Sequence, residues 1–289
     1  MHTRTILKLK DLSVCGQLLA SFDGPENIII KSCLLPICCA LFFYLIITYY
    51  HLQEYLWRFY DADWKTGLCD KLQSMQRFFG LHPSGELDKE TLAVMKRPRC
   101  GLSDVEQFGG TIRWKKRTLS YRITGSNLPS SASKIHKVFR EAWKLWSSVV
   151  PMKFRKRSRK EADIVICFHK GDHEDGTPFD GKGGILAHAF LPGSGIGGDV
   201  HFDADEDWSF NSTAAHEFGH ALGLPHSSDP GAIMYPSYNF APNYELQLSF
   251  RDVKDVQNLY GEFSSIQKMK HYFTDWTQKG SFPKQTNRE

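Results

Sequence analysis

Residues 216–226 read HEFGHALGLPH, which puts three histidines and a glutamate in one short stretch. His216 and His220 are four apart. On a helix that is roughly 40° of rotation and about 6 Å of rise, so both imidazoles point the same way. Two neutral imidazoles so placed can share one Zn²⁺ at about 2.0–2.1 Å. Glu217 sits beside the first of them and can reach a water at the ion without ligating the metal. Zinc lowers the pKa of such a water toward ~7. The glutamate then takes a proton as the water attacks a carbonyl, and passes it to the leaving amine. A helix carried straight on would put residue 226 too far along its axis. Gly223 can adopt φ > 0, end the helix and return the chain, so that His226 closes the site. The fourth position stays open for water and substrate, as catalysis requires.

Other donors are spread along the chain. His173, Asp175, His188 and His201 offer three imidazoles and one carboxylate. That is a closed tetrahedral set, hence a structural zinc. Cys100, in the run PRCG, offers a thiolate that would fill the open position of the first site and silence it. Arg99 beside it would stabilise the thiolate and pair with an acid. Met234, in SSDPGAIMYP, would lay an apolar floor under the first metal.

These residues need elements to hold them. LQEYLWRFY and CDKLQSMQRFF space apolar residues by three and four, so residues 52–96 read as helical, with HPSGELD as a turn and DKETLAVMK as a short helix. PRC breaks that helix. After about Gly110 the style changes. RTLSYRI alternates like a strand, and ADIVICF is a buried-strand run. Between them SASKIHKVFREAWKLWSSV is amphipathic, with Ile135, Val138, Phe139, Ala142, Trp143 and Trp146 on one side. Residues 171–199 are glycine- and aspartate-rich loop with short strands. SFRDVKDVQNLYG is a last helix with Ser249 as its N-cap. Strands mixed with segregated helices give an α+β class.

HExxHxxGxxH followed by a methionine turn is the metzincin pattern. PRCGLSD resembles the cysteine switch of matrix metalloproteinases. RWKKRTLSYRI, GDHEDGTPFDGKGGILAHAF and GIGGDVHFDADEDW resemble the strand and loop blocks of their catalytic domain. The chain is similar to this family of metzincin zinc endopeptidases over roughly Leu52 to Gly261. Its layout resembles the short, matrilysin-like members that lack a hemopexin-like repeat. The resemblance implies a twisted, mostly parallel five-stranded sheet with three helices, preceded by a small helical pro-domain. It implies a signal or signal-anchor region at 1–51, a propeptide with a cysteine switch at 52–107, a catalytic domain at 108–261 and a tail at 262–289. By position, the four donors at 173–201 match the family's structural zinc site. Asp180, Gly181, Gly183, Ile185, Asp203 and Glu206 would hold one Ca²⁺, and Asp163, Gly195, Gly197 and Asp199 another. Ala204 stands where many relatives carry a further acid, so no additional calcium is expected there. The edge strand GILAHAF, with Ala187, would pair with an extended peptide. Pro236, Ser237 and Tyr238 would wall the pocket for the residue after the cut. The family implies a secreted, latent endopeptidase acting on extracellular-matrix and other extracellular proteins, restrained by protein inhibitors, and activated by cleavage near Phe108.

The pattern departs in three places: the pro-segment is short between Asp61 and Leu72, residues 1–51 match no usual start, and the lead-in to the zinc helix is short. Only SFNSTAA separates Trp208 from His216, where relatives carry a longer stretch. His216 would then sit near its helix start with a poorly supported backbone. The alternative expectation is therefore a catalytically impaired metzincin-fold protein that binds matrix or inhibitors. Asn211-Ser212-Thr213 is a glycosylation acceptor in a secreted chain, or a plain polar turn. The run FRKRSRK reads as a solvated loop.

Composition, 41% hydrophobic and 24% charged, is ordinary for a folded protein. The net charge of +4 is mild and argues neither for a nucleic-acid binder nor for an acidic partner, so no nucleic acid is expected. Seven cysteines are scattered, with one after position 100 (Cys167), so no disulfide framework or CxxC zinc site is expected. Cys33 to Tyr50 carries no charge and follows Arg4, Lys8, Lys10 and Lys31. It reads as the apolar part of a secretory signal, a short membrane anchor, or a buried helix.

Overall fold

The computed structural model describes residues 47–60, 66–105, 112–125, 131–158, 161–206, 211–238 and 246–263. They fall into two compact units, divided between Gly109 and Gly110.

The first unit is helical. Helix α1 occupies residues 47–60, α2 is Leu68–Phe78 and α3 is Lys89–Met95. Helix α1 carries through residue 51, where the sequence suggested a boundary. It buries Leu52, Tyr55, Leu56, Phe59 and Tyr60. The rest of the uncharged run, 33–46, lies outside the described residues. No helix among the described residues is long and apolar enough to cross a membrane. Asp88 caps α3 by accepting from Thr91 N at 2.7 Å. The buried amide of Gln76 ties α2 to the following turn, donating to Glu86 O at 2.9 Å and accepting from Gly85 N at 2.9 Å.

The second unit is a mixed sheet with three helices, as the α+β reading expected. Its strands are β1 Thr118–Ile123, β2 Lys153–Lys156, β3 Ile164–His169, β4 Ile185–Ala189 and β5 Val200–Asp203. Within this unit the order is β4-β5-β3-β1-β2. All neighbours are parallel except β4 and β5, where Ala187 faces Phe202 and His188 faces His201. The helices are α4 Ala132–Ser147, α5 Asn211–Ala221 and α6 Phe250–Tyr260.

Strand β2 corrects the loop expectation for FRKRSRK. Phe154 turns inward and stacks on Trp143 with ring centroids 4.2 Å apart. Lys153, Arg155 and Lys156 stay exposed. A short strand with one apolar anchor and flanking charges is a protected sheet edge, and the charges hide its alternation from a hydropathy reading.

The core is aromatic and centred on α4. Trp143 stacks on Phe218 of α5 at 3.8 Å, and Phe139 lies 5.3 Å from Phe202 and 5.4 Å from Phe218. Trp146 is fully buried and donates from Nε1 to Ala215 O at 2.8 Å. Two tryptophans thereby fix how α5 is rotated against the sheet. Such contacts add to the area that large rings bury.

Candidate metal centre

Helix α5 presents His216, Glu217 and His220 from its middle and end. Its first residue is Asn211, so His216 lies about 1.4 turns inside it. The expected weak support is therefore absent. Ala214 and Ala215 before it are fully buried, and Ala215 O takes the Trp146 hydrogen bond. Asn211-Ser212-Thr213 is the opening turn of this helix. The short lead-in to His216 is held here by buried Ala214 and Ala215, the latter tied to the tryptophan.

The helix ends as the sequence required. Gly223 has φ +101°, Gly223 N donates to His220 O at 2.7 Å, and Leu224 N donates to Gly219 O at 3.0 Å. These two bonds form a Schellman motif, which turns the chain back. A Cβ at Gly223 would lie 2.2 Å from Ile112 O, so no other residue fits. His226 is thereby brought to the other two histidines. His220 Nε2 is 2.9 Å from His216 Nε2, and His216 Nε2 is 3.2 Å from His226 Nε2.

Proton accounting shows what belongs between them. His216 Nδ1 lies 2.7 Å from Ile233 O, and His220 Nδ1 lies 2.7 Å from Leu224 O. A carbonyl only accepts, so each Nδ1 carries the proton and each Nε2 presents a lone pair. Two lone pairs at 2.9 Å repel unless a cation sits between them. The donor set fits zinc, whose imidazole ligands are oriented in this way by their other nitrogen. Burial, then the neighbouring histidines, push the His220 pKa well below its usual value, which keeps the ring neutral.

Glu217 is fully buried beside His216, and Tyr238 Oη donates to its Oε1 at 2.5 Å. Met234 is buried against Gly219 of the same helix that carries His220, and Ser227 N donates to Met234 O at 2.8 Å, tying the His226 loop to the methionine turn. Residues 239–245, which follow Tyr238, lie outside the described residues. Ala187 lies on β4, the edge strand of this unit.

Two supporting residues escaped the sequence reading. Asp252 accepts from Ile233 N at 2.8 Å, Met234 N at 3.1 Å and Ser249 N at 2.8 Å. Its carboxylate thus joins the capping box of α6 to the methionine turn, whose Ile233 O in turn orients His216. The SxxD spacing from Ser249 was the available signal. Gly219 is the second. A Cβ there would lie 2.2 Å from Met234 Sδ and 2.9 Å from Trp146 Cζ2.

The four-donor set also assembles. Asp175 Oδ2 lies 2.8 Å from His173 Nε2, 2.7 Å from His188 Nε2 and 2.7 Å from His201 Nδ1. His173 Nδ1 faces Gly171 O at 2.9 Å, which leaves its Nε2 as a lone pair. Burial would raise the Asp175 carboxyl, but hydrogen bonds from Thr177 and His188 outweigh it and hold it well below the usual range. Burial lowers His188 to about 4 despite Asp175. Three imidazoles around one carboxylate are a ready tetrahedral cation site.

Residues 113–261 match the family described as matrixin. This chain belongs to the matrixin family. Residues 49–95 match a second family, described as a peptidoglycan binding domain. Among curated relatives, interstitial collagenase of Bos taurus is 50% identical over 204 residues, which is 67% of this chain and 43% of that protein. Neutrophil collagenase of Homo sapiens is 45% identical over 229 residues, 72% of this chain and 49% of that protein. Matrix metalloproteinase-20 of Homo sapiens is 49% identical over 210 residues, 69% of this chain and 44% of that protein. The chain spans about half the length of the curated relatives it matches.

The remaining expectations for a matrixin are unevenly supported. Around Gly181 (φ +84°) and Gly183 (φ +86°), Asp180 accepts from Ile185 N at 3.0 Å and Glu206 accepts from Gly183 N. Burial and the neighbouring acids, Asp180 among them, raise Asp203 and Glu206. Clustered carboxylates that oppose one another's ionisation suit a hard cation. The other set gathers less. Asp163 is engaged by Ser120 N and Oγ and by Lys116, while Asp199 accepts from Val165 N at 2.7 Å. Gly195 and Gly197 lie in the turn that leads to Asp199.

In the first unit, Cys100 is buried and not in a disulfide. Arg99 found the acid expected for it, pairing with Asp104 Oδ1 at 2.6 Å, with its guanidinium 3.5 Å from the Phe59 ring centroid. Burial would lower Arg99, but Asp104 holds it well above its ordinary value.

Proposed function

We propose that this matrixin is a zinc-dependent endopeptidase, made as a latent zymogen and acting on extracellular proteins. The observation that carries it is the convergence of three imidazole Nε2 atoms, two of them presenting lone pairs, beside a buried glutamate. Zinc held by His216, His220 and His226 would supply Lewis acidity toward a peptide carbonyl. Glu217 takes the proton of the attacking water and returns it to the leaving amine. Tyr238 holds one carboxylate oxygen, so the other is the one aimed at the reaction. The strand β4 offers backbone groups to an extended peptide, with Pro236 and Tyr238 as pocket wall, Tyr238 beside the carboxylate.

His173, Asp175, His188 and His201 would hold a structural zinc, and Asp180, Gly181, Gly183, Ile185, Asp203 and Glu206 a calcium. Asp163, Gly195, Gly197 and Asp199 are the weaker calcium set. Latency rests on Cys100, in PRCG, as ligand at the open position before cleavage near Phe108. The Asp104 ion pair supports this reading by fixing Arg99 beside it. Extracellular location rests on the collagenase relatives, two of whose names place them in interstitial tissue or neutrophils, and on the uncharged run 33–50.

The test is peptide hydrolysis by the full chain after proteolytic or thiol-reagent activation. Activity should vanish with a chelator, return with Zn²⁺, and be absent in Glu217→Ala. A Glu217→Ala protein as active as wild type would overturn the proposal.

A further inference from the structure

Beyond these two groups, β3 and β5 gather a third set of donors. Cys167 and His169 are two apart on β3 and so face the same side of the sheet. Cys167 pairs with His201 across the parallel ladder. One donor atom from each of Cys167, His169 and His201 lies within 4.8 Å of the others. The ring of His169 stacks on His173 at 4.7 Å and stands edge-on to His201 at 5.0 Å. Among the described residues, neither ring nitrogen of His169 has a hydrogen-bond partner.

We propose that Cys167, His169 and His201 form a further metal site, with one thiolate and two imidazoles, that takes a thiophilic cation such as Zn²⁺. Sulfur and imidazole together are zinc and copper donors rather than calcium or magnesium donors. His201 is shared. Its Nδ1 faces Asp175 at 2.7 Å, so Nε2 is the nitrogen left for the second ion. Binding forms one metal–sulfur and two metal–nitrogen bonds. It releases the Cys167 thiol proton and the His201 Nε2 proton to solvent, leaving an imidazolate between two ions. The Thr124 hydroxyl, 2.8 Å from Sγ, donates to the thiolate once it forms. The cation must displace the thiol proton as it binds. The fourth position is left for solvent. An ion here would clamp β3 to β5 beside the four-donor set.

The probe is Co²⁺ reconstituted into the full chain. A cobalt–thiolate bond gives a near-ultraviolet charge-transfer absorption, which histidine and carboxylate ligands do not give. Wild type and Cys100→Ser should both show a component that disappears in Cys167→Ser and in His169→Val. Each of the last two variants should bind one equivalent of cobalt less. His169→Val keeps the test standing if Cys167→Ser folds poorly. Unchanged absorption and cobalt content in both variants would overturn the site. Because the sulfur band is read separately from hydrolysis, this result is independent of whether Glu217 supports peptidase activity.

Discussion

The hydroxyl of Tyr238 donates to Glu217 Oε1 at 2.5 Å, inside a site where both side chains are buried. The residue expected to wall a substrate pocket thus also fixes the carboxylate that is to move protons. The two roles separate by mutation. Glu217→Gln keeps an acceptor for Tyr238 and the metal ligands, but cannot carry a proton. It should lower kcat by about 10²–10⁴-fold, the usual worth of general acid–base catalysis. Tyr238→Phe keeps the carboxylate and loses one hydrogen bond to a charged group, about 1.5 kcal/mol, or roughly tenfold. Steady-state kinetics on one peptide should rank the variants in that order; a Tyr238→Phe loss as deep as that of Glu217→Gln would refute this division of labour.

Asp252 anchors the methionine turn, and removing it should unseat His216. Asp252→Ala strands three backbone N–H groups, those of Ile233, Met234 and Ser249. At about 1–3 kcal/mol per unsatisfied buried group, the loss should reach about 3 kcal/mol or more. Supports of this kind typically weaken metal binding about 10–100-fold when mutated. Denaturant unfolding and zinc competition should show both losses together. Stability lost with zinc affinity intact would mean that Ile233 O does not orient the ring.

Much of this arrangement was legible because spacing encodes it. HExxH on a helix, a glycine that reverses the chain and a third histidine are local facts, and Gly223 and His226 stand where spacing required. The four-donor set was readable for a different reason: its carriers lie in adjacent loops and on one antiparallel strand pair, so a family pattern retains their order. What stayed hidden depends on packing between distant segments. Nothing near Asp252 says that its carboxylate reaches Ile233. Likewise, the weakness expected before His216 ignored Trp146, which lies 69 residues away from Ala215 and supports it. Strand β2 was missed because one inward Phe154 among cations gives no period.

Gly219 tests how closely the floor fits. Gly→Ala inside a helix ordinarily gains up to about 1 kcal/mol. Here the new methyl would meet Met234 Sδ at 2.2 Å and Trp146 Cζ2 at 2.9 Å. Met234 is flexible but confined at 2% exposure, and Trp146 is rigid and fully buried. Overpacking of about 1–3 kcal/mol should therefore exceed the propensity gain. Thermal melting of Gly219→Ala should show net destabilisation; a stabilised variant would mean that the methionine floor yields freely.

The last prediction concerns alkaline pH. Tyr260 is buried at the end of α6, where its hydroxyl donates to Leu222 O at 2.6 Å and accepts from Trp114 N at 3.1 Å. It therefore braces the carbonyl just before Gly223. Burial pushes its pKa up to about 12, against the opposing Trp114 hydrogen bond and Arg113. In the unfolded chain the phenol ionises near ~10. A folded pKa above the unfolded one means that the native state keeps the proton longer. The contribution is complete below about pH 10 and is lost as pH rises toward 12. The raised pKa corresponds to about 3 kcal/mol across that window. Tyr260→Phe cannot ionise, so its stability should fall less steeply over that range in denaturant titrations, although it starts lower for want of the Leu222 bond. Parallel slopes for the two proteins would show that this phenol does not govern the alkaline limb.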